Sequence, residues 1–262
     1  MQAPDSDHVR VDTDGRRAEV VITRGEKSNS LSHEAVVDLR EAVEAVDDAD
    51  GVRAAVLRGE GGVLCAGFDL EMMHANDVAD HDALHRDFRG LLDALDGMTT
   101  PTVAAVEGAA IAGGFELTLP CDLRVLDESA KYGVIEVDLG IFPHQGSTQR
   151  LPRLVGLAKA KELVLTGEFV DPAEADRADL VTETCPTEGV LDRARGLADD
   201  LTEKAPLGVR NALRAFDHTF DVSLAEGLDH EHALAMEVYG TEDRTEGFEA
   251  QLEGRDPEFE GR

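Results

Sequence analysis

An α/β fold, with sheets covered by helices and a helical segment at the C-terminus, is what this sequence predicts, and three observations predict it. Apolar runs of strand length recur along the first half of the chain. They come in the order strand, strand, helix, which argues a mixed sheet with helices laid over it. From about Pro206 onward the apolar residues keep helical spacing alone, so residues 1–205 are expected to form the α/β core and residues 206–262 a helical assembly segment.

Strands are expected at Val9–Val11, Ala18–Thr23, Ala54–Leu57 and Thr102–Val106, where apolar residues alternate or run continuously between polar turns. Ser32 is placed as the N-cap of a first helix, with Glu34 in its first turn and Val36, Leu39, Val43 and Val46 on one stripe. Leu84, Phe88, Leu91, Leu92 and Leu95 repeat that spacing, and Pro101 forbids the helix from continuing. A Gly/Ala-rich turn follows Val106, then a short helix from about Gly114, strands near Asp122–Leu126 and Tyr132–Val137, and further helices. The stripe Val209, Leu213, Phe216, Phe220, continued by Leu224 and Leu228, has little core of its own to cover.

The 262 residues are 42% apolar and 31% charged, with no low-complexity stretch, which excludes disorder as the main state. No uncharged run reaches the roughly 18 residues of a membrane span, and Met1–Arg10 lack an apolar h-region, so a cytoplasmic protein with no membrane partner is expected. A net charge of −30 makes nucleic acid a poor partner. The carboxylates are spread through every segment and not gathered in a tail, and such self-repulsion is screened in molar salt, so a salt-rich cytosol is expected. Cys65, Cys121 and Cys185 are widely spaced and read as buried thiols, not disulfides or zinc ligands.

Several constellations fail on spacing. Gly59, Gly61 and Gly62 match neither a phosphate loop nor a dinucleotide fingerprint and read as a strand-ending turn. His81 and His85 stand four apart, but they lack a third ligand and are flanked by Asp80 and Asp82, which reads as an exposed acidic helix; no metal is expected. His230 and His232 do not share a helix face, and Ser147 has no nucleophile-elbow glycine.

The informative stretch is Pro101–Arg153. Within Val103–Leu119 the charged residues are Glu107 and Glu116. Glu107, at a strand end beside Gly108, reads as structural. Glu116 follows Gly113-Gly114, where a carboxylate in a helix's first turn is favourable by about 0.3–1 kcal/mol. The bare glycines also let a ligand approach free backbone N–H groups able to hold a developing anion. Glu136 ends the mostly apolar Tyr132–Val137 and supplies a second semi-buried carboxylate. Two carboxylates beside an oxyanion hole make an acid/base site.

Four segments together resemble the crotonase, or enoyl-CoA hydratase/isomerase, superfamily over nearly the whole chain. Lys27–Leu31 (KSNSL) resembles its first CoA-contacting loop, and Leu64–Met72 (LCAGFDLEM) its A-G-x-D-[LI] oxyanion loop. Thr100–Arg124 resembles its P-V-x-A-x-x-G … G-G-x-E-L … C-D motif, and Gly140–Thr166 its G-x-x-P-x-x-G-x-T-Q-R-L block. The resemblance implies a crotonase-like fold of repeated β-β-α units. It implies backbone N–H groups of Phe68 and Gly113 as the oxyanion hole for a thioester carbonyl, with Phe68 shortening the acyl pocket. Glu116 and Glu136 match the two catalytic glutamates of hydratases. Lys27, Ser28, Asn29, Ala66, Asp69, Leu70, His144 and Arg255 match substrate- or CoA-binding positions.

The implied reaction is addition of water to a trans-2-enoyl-CoA to give a 3-hydroxyacyl-CoA, in the degradation of fatty or related acyl-CoA compounds. No cofactor is implied beyond the coenzyme A of the substrate, and the expected assembly is a homotrimer or a dimer of trimers. An isomerase using Glu136 alone and a non-catalytic acyl-CoA-binding subunit are the alternatives. Departures from the pattern are Ile135 for the proline before the second glutamate, His144-Gln145 for a small pair, and Gln251 and Gly254 for the Phe and Lys expected near the C-terminus. They leave Arg255 as the cation of that segment, and His144 as a loop histidine without an assigned partner. The stretch Met73–His85 is expected to be a loop shaping the acyl pocket.

Overall fold

The computed structural model describes residues 6–262; of the segment Met1–Arg10, residues 1–5 lie outside the described ones. Strands β1 (Val9–Asp14) and β2 (Arg17–Ile22) form a hairpin, and α1 (His33–Asp47) crosses to β3 (Ala54–Gly59). Helices α2 (Leu70–Ala75) and α3 (Val78–Asp96) lead to β4 (Thr102–Val106), β5 (Ala109–Ile111), α4 (Gly113–Thr118), β6 (Leu123–Asp127) and β7 (Lys131–Gly133). Then come α5 (Leu151–Thr166), α6 (Pro172–Arg177), β8 (Glu183–Cys185), α7 (Val190–Thr202) and the final helices α8 (Pro206–Phe216), α9 (Leu224–Tyr239) and α10 (Glu242–Glu253).

Six strands form one sheet in the order β1-β2-β3-β4-β6-β8, antiparallel at the first pair and parallel thereafter. Strands β5 and β7 form a small parallel sheet of their own. The period of two along the parallel strands sorts their residues onto two faces. Ala54 and Val56, with Val103, Ala105 and Val125, pack against Val190, Ala194 and Ala198 of α7. Ala55, Leu57, Ala104 and Val106 face the main core, which holds the apolar stripes of α1 and α3. The stripe residues of both helices expected from sequence are buried, and Ser32 caps α1 by accepting the Ala35 N–H at 3.2 Å. Glu19, one of the charged residues buried in the strands, is paired: it accepts from Arg195 at 2.6 Å and from Arg58 at 2.7 Å.

The structure departs from the sequence reading in several places. Strand β7 stops at Gly133 instead of running to Val137, and Glu136–Leu139 wind into a 3-10 turn, so Glu136 begins a turn and does not end a strand. Strands β5 and β8, of three residues each, were not expected. The stretch 73–85 is helical apart from a break around Asn76-Asp77, because Asp69 caps α2 and Asp77 caps α3 through a capping box. The C-terminal stripe is also interrupted: α8 ends at Phe216, and Phe220 sits in the turn before α9. Phe216 and Phe220 remain 72% and 66% exposed. Cys65 and Cys121 are free buried thiols, as expected, whereas Cys185 is only half-buried.

Candidate active site

Two chain segments meet where the sequence places the oxyanion hole. The segment after β3 is tied to β5 by Cys65 N–H to the Ala109 carbonyl at 3.1 Å and Ile111 N–H to the Cys65 carbonyl at 3.0 Å. Gly67, at φ +93°, lets the chain pass so close to β5 that a Cβ there would lie 2.9 Å from the Ile111 carbonyl oxygen. Ala112 then adopts a positive φ of 53° with ψ −121°, a conformation unusual for a residue with a Cβ, and turns the chain into α4. The amides flanking the hole are engaged: Asp69 N–H with Leu31 and Ala112 N–H with Gly133, each at 2.9 Å. Among the described residues, the N–H groups of Phe68 and Gly113 between them find no protein acceptor. The Phe68 ring lies over Gly113 and packs edge-on against Phe88 of α3, with ring centroids 4.9 Å apart.

Glu116 sits on α4 one turn past that N-terminus and is only 2% exposed. One of its oxygens accepts the Gln145 N–H at 2.9 Å and the Ser147 N–H at 3.1 Å. Burial pushes its pKa above the ordinary carboxylate value, against the pull of those two donors. Glu136, 7% exposed at the start of the 3-10 turn, has an oxygen with no protein partner. Burial and then the nearby Glu116 charge push its pKa up to about 7. Ile135 before it adopts φ −121°, far from the −65° or so that a proline would impose, so this backbone does not call for the proline of the family pattern. The site therefore pairs an anchored carboxylate with one poised to hold a proton near neutral pH.

The remaining expected residues divide. Ser28 and Asn29 take left-handed conformations, and the Ser28 carbonyl accepts the Ala66 N–H at 3.0 Å, so the KSN loop and the oxyanion loop are stitched together. Asn29 is fully buried and donates to the Glu60 carbonyl at 2.9 Å, which ties the loop to the turn after β3, while its side-chain oxygen has no protein partner. Asp69 is likewise occupied, capping α2 and pairing with Lys27 at 3.3 Å. Lys27 is half exposed and Leu70 is exposed beside a cleft of about 500 Å³ lined by Lys27, Asp69 and Met72 among others. Arg24 also lines that cleft; it is nearly buried, with one terminal nitrogen unpartnered, and it was not foreseen. Arg255 is held by carboxylates of its own segment, Glu246 at 2.9 Å and Glu253 at 2.8 Å, and is not an unpaired cation.

His144 is not a lone loop residue. Its ring stacks on His85 of α3 with centroids 5.0 Å apart, and its Nε2 lies 3.2 Å from Nε2 of His81. The side-chain amide of Gln145 reaches Nδ1 and the carbonyl of the same His85. His81 and His85 thus turn half-buried toward the site instead of standing on an exposed acidic helix. Sequence spacing hides this, because the partners are about 60 residues apart in the chain. Among the described residues no cluster of three or more metal-type side chains is placed to hold an ion.

The family model described as enoyl-CoA hydratase/isomerase matches residues 15–262. The chain is 35% identical over 251 residues to a protein named probable enoyl-CoA hydratase in Mycobacterium tuberculosis, covering 96% of this chain and 97% of that one. It is also 35% identical over 245 residues to a protein named probable enoyl-CoA hydratase 2, mitochondrial, in Arabidopsis thaliana, covering 93% and 81% of the two chains. The crystal structure of an enoyl-CoA hydratase from Bacillus anthracis superposes with a TM-score of 0.94 at 32% identity, covering 97% of this chain and all of that one. Among the described residues no helix is long and apolar enough to cross a membrane.

Proposed function

The chain belongs to the enoyl-CoA hydratase/isomerase family, and within it we propose that this enzyme adds water to a trans-2-enoyl-CoA to give a 3-hydroxyacyl-CoA. The observation that carries the reading is the pair Glu116 and Glu136, both buried and each in a different electrostatic setting. An isomerase acting through Glu136 alone would have no use for a second buried carboxylate anchored by two backbone donors.

The thioester carbonyl is received by the N–H groups of Phe68 and Gly113, which stabilise the enolate-like charge as it forms. Glu116 keeps one oxygen on the Gln145 and Ser147 amides and orients a water with the other. As the water oxygen bonds to the β carbon, Glu116 takes the water proton and the electron pair of the double bond moves toward the α carbon. Glu136 delivers its proton there. The product gains one hydroxyl and one hydrogen, and proton exchange with solvent returns both carboxyls to their starting states. No metal or cofactor is called for; coenzyme A enters as part of the substrate, its phosphates received at the cleft that Lys27 and Arg24 line.

The pH profile of crotonyl-CoA hydration tests these roles. Glu116 must be ionised, so kcat/KM should rise through its elevated pKa; Glu136 must be protonated, so activity should fall as pH rises through about 7. A profile flat across that range contradicts the assignment.

Residues 206–262 are the assembly segment in this reading, building a homotrimer or a dimer of trimers over the exposed Phe216, Phe220 and Leu228. With a charge of −30 on each subunit, association should strengthen with salt as the screening length contracts from about 30 Å at 0.01 M to about 3 Å at 1 M. Sedimentation in dilute buffer and in molar KCl reads this directly. The double variant Phe216→Asp, Phe220→Asp should stay monomeric in both, and an active monomer of the wild type in molar salt would contradict the role of the segment.

A further inference from the structure

We infer that the acyl end of the site receives an anion, and that the preferred substrates are enoyl-CoA thioesters whose acyl chain ends in a carboxylate. This rests on the hydratase reading above and deepens it. His81, His85 and Phe88 stand at i, i+4 and i+7 on α3 and so share one face. Phe88 holds the ring of Phe68, whose amide faces the thioester; the two histidines continue the same wall, and a rise of 1.5 Å per residue puts His81 about 10 Å further along it. His144 closes the wall from the opposite side, stacked on His85 and 3.2 Å from His81.

The hydrogen bonds fix how these rings present themselves. Nδ1 of His144 faces the Phe142 carbonyl at 3.1 Å and must donate to it, so its Nε2 accepts from Nε2–H of His81. Nδ1 of His85 takes the Gln145 amide, which leaves Nε2–H of His85 as a donor with no acceptor among the described residues. His8 and His33, by contrast, each meet a carboxylate, at 2.7 and 2.6 Å. In a chain with 55 acidic residues, three half-buried imidazoles without such a partner leave a hydrogen-bond donor that a ligand can meet.

The charged groups that act on the trio are Asp82 and Arg89 of α3 on His85, and Glu136 on the catalytic side beside His144. Burial, then the neighbouring His144 and His81, hold His85 below the ordinary histidine value, so its ring is largely neutral near pH 7 without a ligand. A carboxylate entering beside Nε2–H of His85 gains a charge-assisted hydrogen bond, and its negative charge favours proton uptake by that ring.

The test compares kcat/KM for glutaconyl-CoA, which ends in a carboxylate, with that for the neutral trans-2-pentenoyl-CoA of equal chain length. The wild type should prefer the carboxylated thioester by about 10-fold or more, the worth of one charge-assisted hydrogen bond. The ratio should grow as pH is lowered from about 8 to about 6, while titration of Glu136, common to both substrates, cancels. In the variant His81→Phe, His85→Phe the ratio should fall to about one, with measurable pentenoyl-CoA hydration showing that the fold is intact. In the milder single variant His85→Asn the ratio should fall as well. A wild-type ratio of one or below, or a ratio unchanged in the variants, overturns the inference and leaves the hydratase reading standing. No hydration of either thioester by the wild type overturns that reading, and this inference with it.

Discussion

Glu136→Gln is expected to lower kcat for crotonyl-CoA hydration by about 10²–10⁴, the typical worth of a positioned proton donor, with little change in KM. The amide fills the same buried space but has no proton to give to the α carbon. Glu116→Gln should cost a similar factor for the complementary reason. Its amide oxygen still accepts the Gln145 and Ser147 N–H groups, at 2.9 and 3.1 Å in the native protein, so the loop stays in place. What is lost is the ability to take the water's proton. Steady-state rates with thermal melts on both variants check the outcome; turnover near that of the wild type in both would show that neither carboxyl moves a proton.

The second large effect is expected at Gly114. A Cβ at this position would stand 2.3 Å from the Cys65 carbonyl oxygen, and that oxygen also accepts the Ile111 N–H at 3.0 Å. Gly114→Ala must therefore push the segment around Cys65 away from β5 and α4, separating the Phe68 and Gly113 amides proposed to receive the carbonyl. The loss should be about 10²–10³ in kcat, comparable to removing one donor, with about 1–3 kcal/mol of stability lost to overpacking. Gly208→Ala in α8, where the added methyl meets only the Ala205 Cβ at 3.8 Å, should leave the rate unchanged. Equal rates in the two variants would separate catalysis from the approach of these segments.

The parts of the molecule legible in the sequence are those whose physics is local. The stripes of α1 and α3 follow from helical period and burial alone, and Ser32 caps as a serine before such a stripe should. Glu116 and Glu136 stood out because carboxylates are rare in apolar runs, and both are buried. The sequence over 73–85 reads as a loop although Asp69 and Asp77 are cap signals for two helices; the first spans only six residues and has too little apolar period to register. Strands β5 and β8 are held by neighbours distant in sequence and carry little strand pattern in three residues. The histidine trio was invisible for the same reason: its members lie on α3 and in the loop after the 3-10 turn, and only the folded chain brings them together. Arg255 shows the converse, since a matching motif gave a cation but not the carboxylates, Glu246 and Glu253, that already hold it.

The most direct test of hydration by the two glutamates is to incubate the protein with crotonyl-CoA in water labelled with heavy oxygen and to follow the absorbance of the conjugated thioester together with the mass of the product. Absorbance should fall as 3-hydroxybutyryl-CoA appears with one heavy oxygen at the β carbon, and both signals should collapse in Glu116→Gln and Glu136→Gln. Absorbance that persists with the wild-type protein, or a thioester product carrying no added oxygen, would contradict it.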